Sequence, residues 1–213
     1  MNLDYSYYLV VDEQACAPLS IIDALQLVLN DSIACVQLRM KNQTPESIIN
    51  TGKQLLRLLR ERNIPLIIND HPEITLAIGA DGVHIGQTDQ PYAAVRKRLG
   101  PKKIIGLSIE NIQQAQQCCH YECDYFGVGP IFATATKKNA ALPIGIADLN
   151  LFNKLLKAPI VAIGGINLQN IQSVLATGVA GVAVASAIFS APDPRIMSQK
   201  LGQTILQSHY VNA

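Results

Sequence analysis

Residues 66–89 read LIINDHPEITLAIGADGVHIGQTD. Leu66–Asn69 is a short apolar run that ends on Asn69-Asp70, and Gly82–Ile85 is a second that leads on to Asp89. His71-Pro72-Glu73 opens a helical pattern between them. Runs this continuously apolar mark strands covered on both faces, as crossover helices cover a parallel sheet. The unit reads β-α-β, with a carboxylate just past the C-terminal end of each strand.

The same alternation extends in both directions. Further candidate strands are Tyr7–Val11, Ala34–Arg39, Ile104–Ser108, Tyr125–Gly129, Ile160–Ile163 and Gly181–Ala185. Helical patterns separate them, such as Pro45–Arg62 with Ile48, Ile49, Leu55, Leu56 and Leu59 on one stripe. Eight such units predict an α/β fold, a (β/α)8 TIM barrel, in a single domain spanning residues 1–213. The competing topology is an open doubly wound sheet, which usually has fewer strands and a Gly-rich turn after the first. No such turn follows Val11. The longest break, Pro130–Gly145, holds two threonines and two lysines, and a loop of that length is expected to be functional or disordered. From Ile196 onward the pattern predicts a last amphipathic helix closing the barrel, fraying at Tyr210–Ala213.

Composition narrows the function. A chain of 213 residues buries a sizeable core, and a net charge of +1 supplies no long-range field for nucleic acid or an anionic membrane. Its apolar runs are all far shorter than the ~20 residues of a membrane span. Met1-Asn2-Leu3-Asp4-Tyr5 lacks the basic and apolar regions of a signal peptide. Five cysteines without paired spacing suit reduced thiols, and the expected location is cytoplasmic.

Strand ends are where barrels of this kind gather catalytic groups. In Val36-Gln37-Leu38-Arg39-Met40-Lys41, alternation sets Gln37, Arg39 and Lys41 on one side, facing the barrel mouth. Simple solvation of the two cations is the plain alternative. Asp70 also suits a helix cap, with Glu73 completing a capping box and Pro72 in the first turn; Asp89 suits a cap before Gln90-Pro91. Two acids after adjacent strands, with cations one strand away, instead suit Mg2+, which takes one or two carboxylates plus substrate phosphates. Ser108 ends the fifth strand, and Thr134, Thr136 and Lys137 follow the sixth. Gly164-Gly165 after the seventh and Ala185-Ser186 after the eighth occupy the positions where barrels often cradle a phosphate. Cys118, Cys119, His120 and Cys123 have no C-x-x-C spacing, and they read as thiols rather than a zinc site. His84, inside a strand, reads as a satisfied buried histidine.

Taken together, these segments resemble the thiamine-phosphate synthase family. The matching stretches are Q-L-R-x-K (37–41), I-N-D (68–70), D-G-V-H-I-G-Q-x-D (81–89), G-x-S (106–108), G-V-G-P-I-F-x-T-x-T-K-K (127–138), I-G-G-I (163–166) and S-A-I-F (186–189). The resemblance implies a transferase of thiamine biosynthesis that joins a hydroxymethylpyrimidine pyrophosphate to a thiazole phosphate, releasing pyrophosphate. By the same resemblance, Gln37, Arg39, Lys41, Asn69, Ser108 and Lys137 meet the pyrimidine pyrophosphate, with Arg39, Lys41, Ser108 and Lys137 acting in catalysis. Asp70 and Asp89 hold Mg2+, and Thr134, Thr136, Gly165, Ala185 and Ser186 meet the thiazole phosphate. No nucleic acid or membrane partner is implied, and the state of homo-oligomerisation is left open.

The chain departs from the family pattern at three positions. Met40 stands where an acid is common, Ala133 where proline is frequent, and Glu110 where many relatives carry histidine. The first two bear on loop rigidity. Rival readings are a thiazole tautomerase of the same superfamily, which tends to lose the metal acids and to use the histidine, and a regulator that binds thiamine phosphates without catalysis. Retention of Arg39, Lys41, Asp70 and Asp89 argues against the tautomerase.

Overall fold

The computed structural model describes residues 3–134 and 142–211, excluding the side chains of residues 209–211. The chain begins with β1 (Tyr7–Asp12), α1 (Glu13–Cys16), α2 (Ile21–Val28), β2 (Cys35–Arg39), α3 (Pro45–Arg60) and β3 (Leu66–Asn69). There follow α4 (Pro72–Ile78), β4 (Gly82–Ile85), α5 (Tyr92–Leu99), β5 (Ile104–Ile109), α6 (Ile112–Cys118) and β6 (Tyr125–Val128). The last part contains α7 (Gly145–Leu155), β7 (Ile160–Ile163), α8 (Ile171–Leu175), β8 (Gly181–Val184), α9 (Ser186–Phe189) and α10 (Pro194–Val211). Every strand pairs in parallel with its sequence neighbour, and β8 returns to β1 through Tyr7↔Val182, Tyr8↔Ala183 and Leu9↔Val184. That last pairing makes the sheet a closed (β/α)8 barrel and excludes the open doubly wound alternative.

Helix starts follow local chemistry. Thr44 caps α3 by accepting the Ser47 N–H, and Pro45 takes the first turn, where its missing N–H costs nothing. Ile48, Leu55, Leu56 and Leu59 are buried on one face of α3, and Ile49 packs at its edge. α10 is tied down by a buried polar knot rather than by apolar packing alone. Tyr7 Oη lies 3.0 Å from Ser198 Oγ, which donates to the Val28 carbonyl at 2.9 Å and accepts from Asn30 Nδ2 at 2.8 Å.

Alternation along the strands separates two cores. Outward residues such as Leu9, Leu38, Ile68, Val83, Leu107 and Phe126 pack under the helices. Inward residues Tyr5, Tyr8, Val10, Cys35, Ile67, Ile104, Tyr125, Val161 and Ala183 fill the barrel itself. Gly106 is required by the second set, because a Cβ there would lie 2.1 Å from Cζ of the Tyr125 ring.

Gly106→Ala is therefore expected to destabilise the fold by about 1–3 kcal/mol, the usual cost of overpacking a filled interior. Denaturant unfolding would show it as a lowered midpoint; an unchanged midpoint would contradict the packing described.

Candidate active site

A cavity of about 330 Å³ opens at the C-terminal ends of the strands. Gln37, Arg39, Lys41, Asn69, Asp70, Asp89, Ser108, Thr134, Gly165, Ala185 and Ser186 all line it. Thr136 and Lys137 lie outside the described residues. Sequence-distant strand ends thus converge on one space, as closure of the barrel requires.

β2 supplies the cationic side. Gln37 is buried and donates its amide N–H to Tyr8 Oη at 2.9 Å. Arg39 is not simply solvated, since its guanidinium donates to the buried carboxylate of Asp12 in the next strand. Asp12 also accepts the N–H groups of Gln14 and Ala15, so one carboxylate caps α1 and orients Arg39. Lys41 is half exposed, with Nζ 3.4 Å from Asp70 Oδ2.

Neither acid serves as a helix cap. The residue preceding α4 is His71, which makes no side-chain capping bond, and Glu73 instead meets His71 Nδ1 at 2.9 Å. Asp70 itself sits at φ 64°, a left-handed conformation that Asp tolerates better than most residues, and its N–H donates to the His84 carbonyl at 2.8 Å. The residue before α5 is Pro91, while Asp89 Oδ2 accepts the Gly86 N–H at 2.6 Å. Both carboxyls are thereby turned into the cavity and toward each other. Burial, then the hydrogen-bonding and negative charge of Asp89, push the Asp70 carboxyl above its ordinary range, and Lys41 opposes them.

Opposite lies the glycine side. Gly164 and Gly165 have φ of 98° and 67°, and a Cβ on either would strike Pro130, or Phe132 and Ala133. Their backbone runs against the segment after β6, where Ile131 N donates to Ile163 O and Phe132 N to Gly164 O. This contact places Thr134 in the same wall as Gly165 and Ser186.

Several lining residues escaped the sequence reading. Asp12 closes an apolar run, and only its register opposite Arg39 reveals it. Tyr8, Tyr125 and Gln114 also line the cavity. His84 is satisfied, as expected, by Tyr125 and Ser108, yet it stands in the cavity wall. Glu110 lines the same space.

The charge balance bears on a metal. Among the described residues the cavity carries two cationic side chains, Arg39 and Lys41, against four carboxylates, Asp12, Asp70, Asp89 and Glu110. Adjacent carboxylates, one held above its usual range by burial and then by the other, suit a divalent cation with oxygen preference.

The sequence pattern described as thiamine monophosphate synthase matches residues 7–188. The chain belongs to the thiamine monophosphate synthase family. Family membership makes it an enzyme, a transferase. It is 41% identical over 194 residues to a thiamine-phosphate synthase of Desulfitobacterium hafniense (strain Y51), covering 91% of this chain and 94% of that protein. A thiamine-phosphate synthase of Clostridium novyi (strain NT) is 39% identical over 201 residues, covering 94% and 98%. The solved thiamine phosphate pyrophosphorylase of Pyrococcus furiosus superposes with a TM-score of 0.86 at 31% identity, covering 97% of this chain and 98% of that one. Among the described residues, no helix is long and apolar enough to cross a membrane.

The raised Asp70 carboxyl gives the synthase fold a signed pH dependence. Unfolded, Asp70 ionises at its ordinary pH, while folded it holds its proton to a higher pH. Its contribution is fully present below the unfolded value and is lost as pH rises through the folded one. Asp70→Asn, which keeps the left-handed backbone accessible, should then raise Tm at pH 7 in the presence of a chelator. The gain should shrink as pH falls toward the unfolded value. A lower Tm at neutral pH would refute the buried, like-charge setting of Asp70.

Proposed function

We propose that this chain condenses 4-amino-5-hydroxymethyl-2-methylpyrimidine pyrophosphate with a thiazole phosphate, plain or carboxylated, to give thiamine phosphate and pyrophosphate. The observation that carries this reading is one cavity with two unlike anion walls. The Arg39, Lys41, Asp70 and Asp89 side faces the Gly165, Ala185 and Ser186 side. Five free thiols suit a cytoplasmic setting for the reaction.

In this reading Asp70 and Asp89 hold Mg2+, and the residues present fit it for the reasons of charge given above. Bound there, Mg2+ supplies Lewis-acid neutralisation of the pyrophosphate charge. Arg39, held in place by Asp12, and Lys41 address the same pyrophosphate oxygens, with Lys137 from the segment after β6. Gln37 and Asn69 orient the pyrimidine, and Ser108 donates to the departing group. Thr134, Thr136, Gly165, Ala185 and Ser186 hold the thiazole phosphate so that its ring nitrogen lies in line.

No strong nucleophile is needed. The C–O bond to pyrophosphate breaks with both electrons leaving on oxygen, and the electron-rich aminopyrimidine stabilises the methylene cation. The thiazole nitrogen then captures that cation and forms the new C–N bond. Catalysis lies in stabilising charge on the leaving group and in holding the acceptor close.

Purified protein given both substrates should form thiamine phosphate and pyrophosphate in equal amounts, only with Mg2+ present. Asp70→Ala or Asp89→Ala should lower that turnover by orders of magnitude while leaving the protein folded. Full activity in either variant would defeat the metal assignment. Binding of thiazole phosphate without product would favour the tautomerase or the regulator.

A further inference from the structure

A line of hydrogen bonds crosses the barrel interior and ends at the cavity. Gln37 Nε2 donates to Tyr8 Oη at 2.9 Å, and Tyr8 Oη lies 2.7 Å from Tyr125 Oη. Tyr125 Oη lies 2.9 Å from His84 Nδ1, and His84 Nε2 lies 2.8 Å from Ser108 Oγ. These residues come from β2, β1, β6, β4 and β5, so the line bridges widely separated parts of the ring. The interior is shaped around it. A Cβ at Gly106 would lie 2.1 Å from the Tyr125 ring, and one at Gly127 would lie 2.8 Å from Cε1 of His84.

Counting hydrogens gives the line a direction. Burial pushes both phenols well above their ordinary range, so each keeps its single hydroxyl hydrogen. Tyr8 accepts from Gln37, which leaves its own hydrogen for Tyr125. The Tyr125 hydrogen then goes to His84 Nδ1. An imidazole accepting at Nδ1 carries its proton on Nε2 and donates it to Ser108 Oγ. The Ser108 hydrogen remains to be donated into the cavity that this residue lines. With the Gln37 amide turned as it is, its N–H toward Tyr8, the opposite direction would set the Tyr8 O–H against that N–H, donor facing donor in a buried place.

We propose that Tyr8, Tyr125 and His84 are positioning residues that hold the Ser108 hydroxyl as a hydrogen-bond donor toward the bound anion. This rests on the reading above, in which Ser108 meets the pyrimidine pyrophosphate. Were the line reversed, Ser108 would spend its hydrogen on His84 and turn only lone pairs toward phosphate oxygens. The polarity of the interior therefore decides whether Ser108 attracts or repels the leaving group.

Two measurements test this. Nitrogen-15 NMR of the histidine rings in the full-length protein without substrates reads the tautomer, with the His84 signals assigned by their loss in His84→Gln. The expected result is a proton on Nε2 and none on Nδ1. A protonated Nδ1 overturns the proposal, whatever the activity. Nε2–H in a protein that makes no thiamine phosphate would keep the hydrogen-bond direction and strike down the function instead.

The second is a double-mutant cycle on kcat. Tyr125→Phe should lower kcat about tenfold, the scale of one hydrogen bond to a charged oxygen, with KM for thiazole phosphate little changed. In a Ser108→Ala background the same change should cost nothing more. Equal losses in both backgrounds would make Tyr125 merely structural and sink the proposal.

Discussion

A closed ring of parallel strands divides every strand into two sets of side chains, and the division admits no error. One set faces the helices; the other faces a column that is packed solid at one end and open at the other. Tyr5, Cys35, Ile67, Ile104 and Val161 fill the column with apolar volume, while Arg39, Asn69 and Ser108 line its open end. A slip of one residue in β2 would drive Leu38 into the column and bury Gln37 and Arg39 against helices. Register therefore supports stability and the site together. The β1–β8 pairing holds it, because it removes the last free edge along which a strand could slide.

The open end is assembled against the grain of folding. Asp70 sits in a left-handed conformation, and burial, with a second carboxylate beside it, holds it above its ordinary range. Neither feature stabilises the ligand-free protein. Asp12 offsets part of the cost, since one buried carboxylate satisfies two backbone N–H groups of α1 and the Arg39 guanidinium. Lys41 offsets less, being half exposed and only 3.4 Å from Asp70 at its nearest. The barrel carries this arrangement because its stability comes from the two apolar cores beneath.

Much of the fold was legible because strands covered on both faces announce themselves as apolar runs. Leu66–Asn69, Gly82–Ile85 and Ile160–Ile163 match the observed strands to the residue, and the others differ by one at an end. Closure was inferred only from repetition, since the contact that decides it joins Tyr7–Leu9 to Val182–Val184 across nearly the whole chain. At the strand ends the local view was ambiguous. Asp70 and Asp89 each stand where a cap would stand, and only the backbone geometry shows their carboxyls turned away from the helices. Asp12 gave no local signal at all, because its meaning lies in a partner on another strand. Tyr8 and Tyr125 were invisible for the same reason, as core aromatics look alike until their hydroxyls are paired.

The departures from the family pattern acquire physical meaning from the same alternation. Met40 falls between Arg39 and Lys41, yet it is 8% exposed and belongs to the core between strands and helices. An apolar side chain there strengthens the packing behind the cations and takes no position in the cavity. Ala133 is exposed, and its carbonyl is among the atoms that a Cβ on Gly165 would strike, so backbone rather than side chain makes its contact with the glycine wall. Glu110 is different, because it lines the cavity and adds a carboxylate to a lining already rich in them. Two departures therefore fall on the framework, and the third falls on the electrostatics that any anionic substrate must meet.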